Sequence, residues 1–230
     1  QLNALSPTMR DGLVAAFHAQ STAPRDTAAR AILITAKGRG FCAGADLDPK
    51  VILERRGTIQ AEMEAGINQL VHLMRTVPVP VIAAVQGPAA GAGFSIALAA
   101  DLLLVSPSAK LIMSFSRLGA MMDGGATHIL PRKIGLARAT ALAMLAKPVA
   151  AQQAVDLGLA VELCKEDALL AEAENLAQRL SRGPDYAQTA TLQEALSFEA
   201  AAQQQAFASP DFEEGITAFT EKRKPQFTGL

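Results

Sequence analysis

Apolar residues recur along this chain with two different periods, and the switches between them predict the order of its elements. Over Ser6 to Gln20, Met9, Leu13, Ala16 and Phe17 fall on one face of a helical register. Ser6 stands where an N-cap hydroxyl is favoured, and Pro7 suits a first turn, where its missing N–H costs no bond. A polar stretch from Ser21 to Arg30 reads as a loop. Ala31 to Ala36 is a short apolar run of strand length, closed by the glycine-punctuated turn KGRGFCAGADL. Met63, Ile67, Leu70, Val71 and Met74 then predict a long helix over Glu54 to Thr76, stopped by Pro78 and Pro80. Val81 to Val85 is a second buried strand. It runs into a second glycine-rich turn, QGPAAGAG, from which Phe94 to Ala100 should start a helix, followed by a third strand, Leu102 to Val105.

Strands that are apolar throughout and alternate with helices indicate an α/β class with strands covered on both faces. Beyond Pro131 the pattern becomes helical around Leu136 to Leu145, Ala150 to Leu157, Ala168 to Leu180 and Thr189 to Phe207. The expected organisation is an α/β body over residues 1–168 and a helical region over 169–230.

Composition narrows the function. With 21 basic against 22 acidic residues the net charge is -1, which argues against a nucleic-acid binder with a basic face. The two cysteines, Cys42 and Cys164, have neither disulfide-framework nor metal-type spacing, so a reducing, cytoplasmic setting is expected. No apolar stretch has the length of a membrane span; Phe94 to Val105 is interrupted by Asp101. The chain opens on Gln1, just before a motif, and an opening strand region is expected to precede it.

The two glycine turns share one design: a strand, a turn of small residues, then the start of a helix. Small residues let a ligand approach the backbone, and N–H groups near a helix start point outward with the positive end of the dipole behind them. Two such turns can aim two donors at one oxygen, which is the specification of an oxyanion hole. Two rival motifs fail on spacing. Gly38, Gly40 and Gly44 miss the dinucleotide fingerprint by one residue, and GFSIA lacks the closing glycine of a nucleophile elbow.

Several segments together resemble the enoyl-CoA hydratase/isomerase (crotonase) family. They are LNALS, GRGFCAGADL, PVPVIAAVQGPAAGAG, DLLLV, DGGATHILPRKIG and EEGITAFTEKRKPQFTG, and they stand in that family's order and spacing. The resemblance implies a spiral core of ββα repeats with a helical C-terminal trimerisation region, and assembly as a homotrimer or homohexamer. It implies an acyl-CoA thioester as substrate, with coenzyme A belonging to the substrate and no separate cofactor or metal. It assigns the oxyanion donors to the N–H groups of Ala45 and Ala92. Ala43, Asp46, Leu47, Gly91, Phe115, Phe219 and Lys222 become substrate- or CoA-contacting positions, with the Ala43 carbonyl facing the adenine. The alternative for Lys222 is an ordinary solvated charge run.

The chain departs from the family's hydratases at two places. Where they carry paired glutamates that position and activate water, it has Ser95 and Phe115. Asp123 remains, where some members use an aspartate as a base for double-bond isomerisation or as a nucleophile. Its apolar neighbours Leu118, Ala120, Met121 and Met122 should raise its pKa. A second role for Asp123 is as N-cap of the helix that follows. His128 is a further candidate for the same pocket, and Ser95 could donate to substrate, whereas His18 and His72 read as structural and Cys42 as packing. The expected reaction is a shift of a C=C bond from 3-enoyl-CoA to 2-enoyl-CoA, with hydration by a nonstandard acid/base set, or acyl-CoA binding without catalysis, as alternatives.

Overall fold

A computed structural model describes residues 2–24, 27–46, 58–182, 210–226 and 228. The first helix, α1 (Pro7–Thr22), begins as its sequence requires: Ser6 is the N-cap, and its Oγ accepts from the Met9 N–H at 3.2 Å. The buried stripe differs from the expected one. Phe17 is buried and Leu13 and Val14 pack on the core, whereas Met9 is 40% exposed, because the stripe is narrow and turns away from the first turn.

Strand β1 (Ile32–Ile34) follows. The long expected helix appears as α2 (Ile59–Met63), a π turn (Glu64–Asn68) and α3 (Gln69–Thr76); the portion of that expectation from 54 to 57 lies outside the described residues. Next come β2 (Val81–Val85), β3 (Pro88–Ala90), α4 (Ala92–Ala99), β4 (Leu102–Val105) and β5 (Lys110–Ile112). A 3-10 turn (Ser114–Leu118) leads to α5 (Ala126–Ile134) and α6 (Leu136–Leu145). The chain continues through β6 (Val149–Ala150), α7 (Ala151–Asp156), β7 (Glu162–Leu163) and α8 (Leu169–Ser181). The last described helix is α9 (Pro210–Glu221), and the helix expected over 189–207 lies outside the described residues.

Strands pair into two sheets. One is parallel, in the order β1-β2-β4-β7, with Ile32 opposite Val81 and Ile82 opposite Leu102. The other has the order β3-β5-β6, with β3 and β5 parallel. Two successive turns of chain, β2-β3-α4 and β4-β5-α5, each lay one strand in each sheet before a helix closes the turn, the ββα unit the sequence led one to expect. All five residues of β2 are buried, which is why it reads as a continuous apolar run rather than an alternating one. Helix α8 covers the outer face of the parallel sheet, packing Leu169 and Ala173 on Ile82, Ala84 and Leu104. Asp101 ties the strand starts together: its carboxylate accepts from the Val81 N–H at 2.9 Å and pairs with Arg75 at 3.0 Å. Among the described residues no helix is long and apolar enough to cross a membrane.

Candidate active site

The two glycine turns come together at the head of α4. Residues 41–46 run between two neighbours. On one side Cys42 exchanges bonds with the β3 backbone: its N–H donates to the Pro88 carbonyl at 3.2 Å, and its carbonyl accepts from Ala90 at 2.9 Å. On the other side Leu5 donates to the Gly44 carbonyl at 2.7 Å and accepts from the Asp46 N–H at 3.3 Å. In this parallel bridge Leu5 takes the groups of residues 44 and 46, so the Ala45 N–H points away from it. Ala92 is the first residue of α4, where an N–H has no intrahelical acceptor.

Gly44 lets the two turns pack closely. It has φ +99°, and a Cβ there would sit 2.9 Å from the Ala90 carbonyl oxygen and 3.9 Å from the Ala92 nitrogen. Only a residue without a side chain lets the backbones lie this close. Gly93 acts likewise: its Cβ would fall 2.3 Å from the Cys42 carbonyl oxygen.

Asp123 lies on the same side. A Cβ on Gly124 would come within 2.9 Å of Ser95 Cβ and 3.2 Å of Ile67 Cγ1, so the Asp123–Gly124 turn rests on the first turn of α4 and on the π turn of the preceding helix. Asp123 Oδ1 is buried with no hydrogen-bond partner. Burial alone pushes its carboxyl from 3.8 up to about 6. It does not cap α5: the N-cap is Gly125, and no side chain bonds that helix start. The expected capping role is therefore absent, because the two left-handed glycines, Gly124 and Gly125, swing the helix start past the carboxylate.

Phe115 is buried with its ring tip 3.8 Å from where a Cβ on Gly91, the residue before α4, would lie. Ser95 is fully buried, and its Oγ donates back to the Gly91 carbonyl at 3.3 Å. Cys42 is buried, and burial raises its thiol pKa, as suits a packing residue. Ala43 and Asp46 are exposed at the rim. Leu47 lies outside the described residues, as does the side chain of Phe219 on α9. Lys222 is exposed just past α9. In the same charge run, Arg223 pairs with Glu214 at 2.5 Å and with Glu221 at 2.6 Å.

His128 does not join the site. It lines a separate cavity of about 770 Å³ between α3 and α5, with Asn68, His72 and Arg75 on one wall and Arg132 and Lys133 on the other. Helical phase puts His128, Ile129 and Arg132 on one face of α5, with the N-cap Gly125 at its start, along this cavity. Residues missed in the sequence are Ile67, brought to Asp123 by the π turn, and the side-chain amides of Asn3 and Gln86, which grip the first glycine turn. An irregular turn leaves no periodic signal, since the apolar spacing around Ile67 reads as ordinary helix.

A sequence model of enoyl-CoA hydratase/isomerase matches residues 1–230. The chain is 39% identical over 219 residues to the 1,2-epoxyphenylacetyl-CoA isomerase of Escherichia coli strain K12, covering 89% of this chain and 83% of that protein. It is 34% identical to the mitochondrial methylglutaconyl-CoA hydratase of Rattus norvegicus, over 89% of this chain and 69% of that one. The crystal structure of an enoyl-CoA hydratase from Bacillus anthracis superposes with a TM-score of 0.87 at 27% identity, covering 100% of this chain and 92% of the other. Through its two-sheet spiral, its paired glycine turns and these likenesses, the chain belongs to the enoyl-CoA hydratase/isomerase family of crotonase-fold enzymes.

Proposed function

We propose that this enzyme moves a carbon–carbon double bond in an enoyl-CoA thioester, converting a 3-enoyl-CoA to the conjugated 2-enoyl-CoA. The Ala45 and Ala92 N–H groups hold the thioester oxygen as charge develops on it. Loss of a single such donor typically costs on the order of 10²–10³ in rate, so a pair can carry much of the catalysis. Asp123 takes a proton from the α-carbon, the electron pair spreads through the dienolate, and the same carboxyl returns the proton at the γ-carbon. Atoms and charge balance without water or a second catalytic group.

The observation that carries this reading is the Asp123 carboxylate. It is desolvated, without a hydrogen-bond partner at Oδ1 and raised to about 6, close to the pH at which a base must both accept and release a proton. Hydration asks for two groups, one to activate water and one to protonate carbon. Ser95 and Phe115, at the positions where the family's hydratases carry their glutamates, both abut the site, and neither ionises as a carboxylate. A relative 30% identical over 220 residues, from Streptococcus mutans, is named a trans-2-decenoyl-[acyl-carrier-protein] isomerase, which supports this choice.

The test is incubation with a 3-enoyl-CoA and, separately, with a 2-enoyl-CoA in heavy water, following both by NMR. Conversion of the first, with the abstracted proton largely retained at the γ-position rather than replaced by deuterium, and no water added to the second, is the expected result. Rapid hydration of the 2-enoyl-CoA refutes it, and binding without turnover of either ester refutes it in favour of a non-catalytic acyl-CoA protein.

A further inference from the structure

The turn that carries Ala43 to Ala45 is anchored at its root by two side-chain amides from distant parts of the chain. Asn3 Nδ2 donates to the Lys37 carbonyl and to the Gly40 carbonyl, both at 2.8 Å. Gln86 Nε2 lies within reach of three carbonyls, Ala36 at 2.8 Å and Gly38 and Gly40 at 3.1 Å each. The two amides converge on Gly40, one residue before the stretch that bonds to Pro88 and five before Ala45. The approach is close on every side. A Cβ at Gly87, next to Gln86, would lie 2.1 Å from the Arg39 carbonyl oxygen, so the turn crosses directly over the residue that follows the clamp.

The Asn3 anchor comes with backbone strain. Leu2 and Asn3 both occupy left-handed conformations, at φ +58° and +56°. Asn is among the few residues that tolerate this region, which for other side chains costs on the order of 1–2 kcal/mol. Here the unusual backbone aims the Asn3 amide at the turn, while the next residues, Ala4 to Ser6, carry the Leu5 bridge that orients Ala45. One short segment therefore fixes the turn at both ends.

We infer that Asn3 and Gln86 are positioning residues for the oxyanion hole, converging on the Gly40 carbonyl to hold the turn so that the Ala45 N–H meets the thioester oxygen. This deepens the proposed function and rests on its assignment of Ala45 and Ala92. Neither side chain donates to substrate in this role; each acts through the turn. The carbonyls at residues 36, 38 and 40 leave the turn few backbone bonds of its own, and a five-residue reach from Gly40 to Ala45 turns a small rotation at the root into a displaced donor. Because an oxyanion donor works within a narrow distance, such a displacement lowers the rate more than it lowers substrate affinity.

The experiment uses Gln86→Met, which keeps length and flexibility but removes the donors, and Asn3→Asp, which tolerates the left-handed backbone but loses the N–H groups. Each full-length variant is loaded with a saturated acyl-CoA carrying a ¹³C thioester carbonyl, and the carbonyl stretch is read by isotope-edited infrared spectroscopy. In the unaltered protein the bound stretch should fall below its value in water. In both variants that fall should shrink while the ester still binds, with kcat for isomerisation lowered about tenfold to a hundredfold and KM changed about twofold or less. A full carbonyl shift and unchanged kcat in either folded variant overturns the clamp. If one variant fails to fold, the other decides, since the two amides come from separate elements. No carbonyl shift in the unaltered protein overturns the oxyanion-hole assignment itself, an outcome distinct from failure of the clamp.

Discussion

Replacing Asp123 by Asn should remove a pH-dependent cost to stability and abolish activity at once, and the two effects share one cause. The carboxyl sits at about 6 in the folded protein, against 3.8 for an ordinary aspartate. The folded state therefore holds that proton more tightly than the unfolded chain does. Stability linked to the group is fully present below about pH 4 and is lost as pH rises through about 6. At pH 8 the ionised, desolvated carboxylate costs about 3 kcal/mol relative to pH below 4, from a shift of about two units at 1.36 kcal/mol each. An amide cannot ionise, so the variant escapes this cost. Its own buried polar group subtracts a constant amount of about 1–3 kcal/mol at every pH. The quantity to measure is therefore how the stability difference between the two proteins changes with pH, by urea unfolding of each at pH 4.5 and pH 8. The difference should move in favour of the Asp123→Asn variant by about 2 kcal/mol between those points. Isomerase activity of the parent, followed by absorbance of the conjugated thioester, should rise through about pH 6 and then level, and the variant should lose it by at least about 10²-fold. A pH-independent stability difference would refute the desolvated carboxylate, and retained activity would refute its role as base.

Other outcomes follow from the same geometry. Gly44→Ala places a Cβ 2.9 Å from the Ala90 carbonyl oxygen at φ +99°, so it should destabilise the fold by about 1–3 kcal/mol and cut kcat by about tenfold or more, read by melting and turnover together. Asp101→Ala leaves the fully buried Val81 N–H without its carboxylate acceptor and frees Arg75; a loss of about 1–3 kcal/mol in urea unfolding, with KM unchanged, is expected. Leu118, Met121, Leu136, Met144 and Leu145 are each more than half exposed on and beside α6, an apolar surface that association would cover. Light scattering should return the trimer or pair of trimers that the family resemblance implies, at micromolar concentration, and a monomer would refute that assembly.

The longer elements could be read from local pattern alone. The strands Val81–Val85 and Leu102–Val105 and the helix Leu136–Leu145 fall where hydrophobic period and proline stops place them, because each is a local solution to burying one run of side chains. The Ser6 cap was legible for the same reason: its bond reaches three residues along the chain. The short strands β3, β5, β6 and β7 left no such mark, since two or three residues carry no period and each exists through a partner far away in sequence. The Asp123 environment divides the same way. The direction of its raised pKa agrees with the sequence reading but the cause does not, since Leu118 and Met121 are exposed; the packing of its turn on Ser95 and Ile67, like the glycines that deny it a capping role, belongs to the folded chain. His128 shows the converse: five residues from Asp123 in sequence, it faces another cavity because helical phase, not proximity, sets direction. The paired glycine turns lie between these cases. Their small residues can be read one turn at a time, but bringing the two turns together takes the bonds of Leu5 and Cys42 and the amides of Asn3 and Gln86, contacts made across tens of residues that only the folded backbone brings within hydrogen-bonding range.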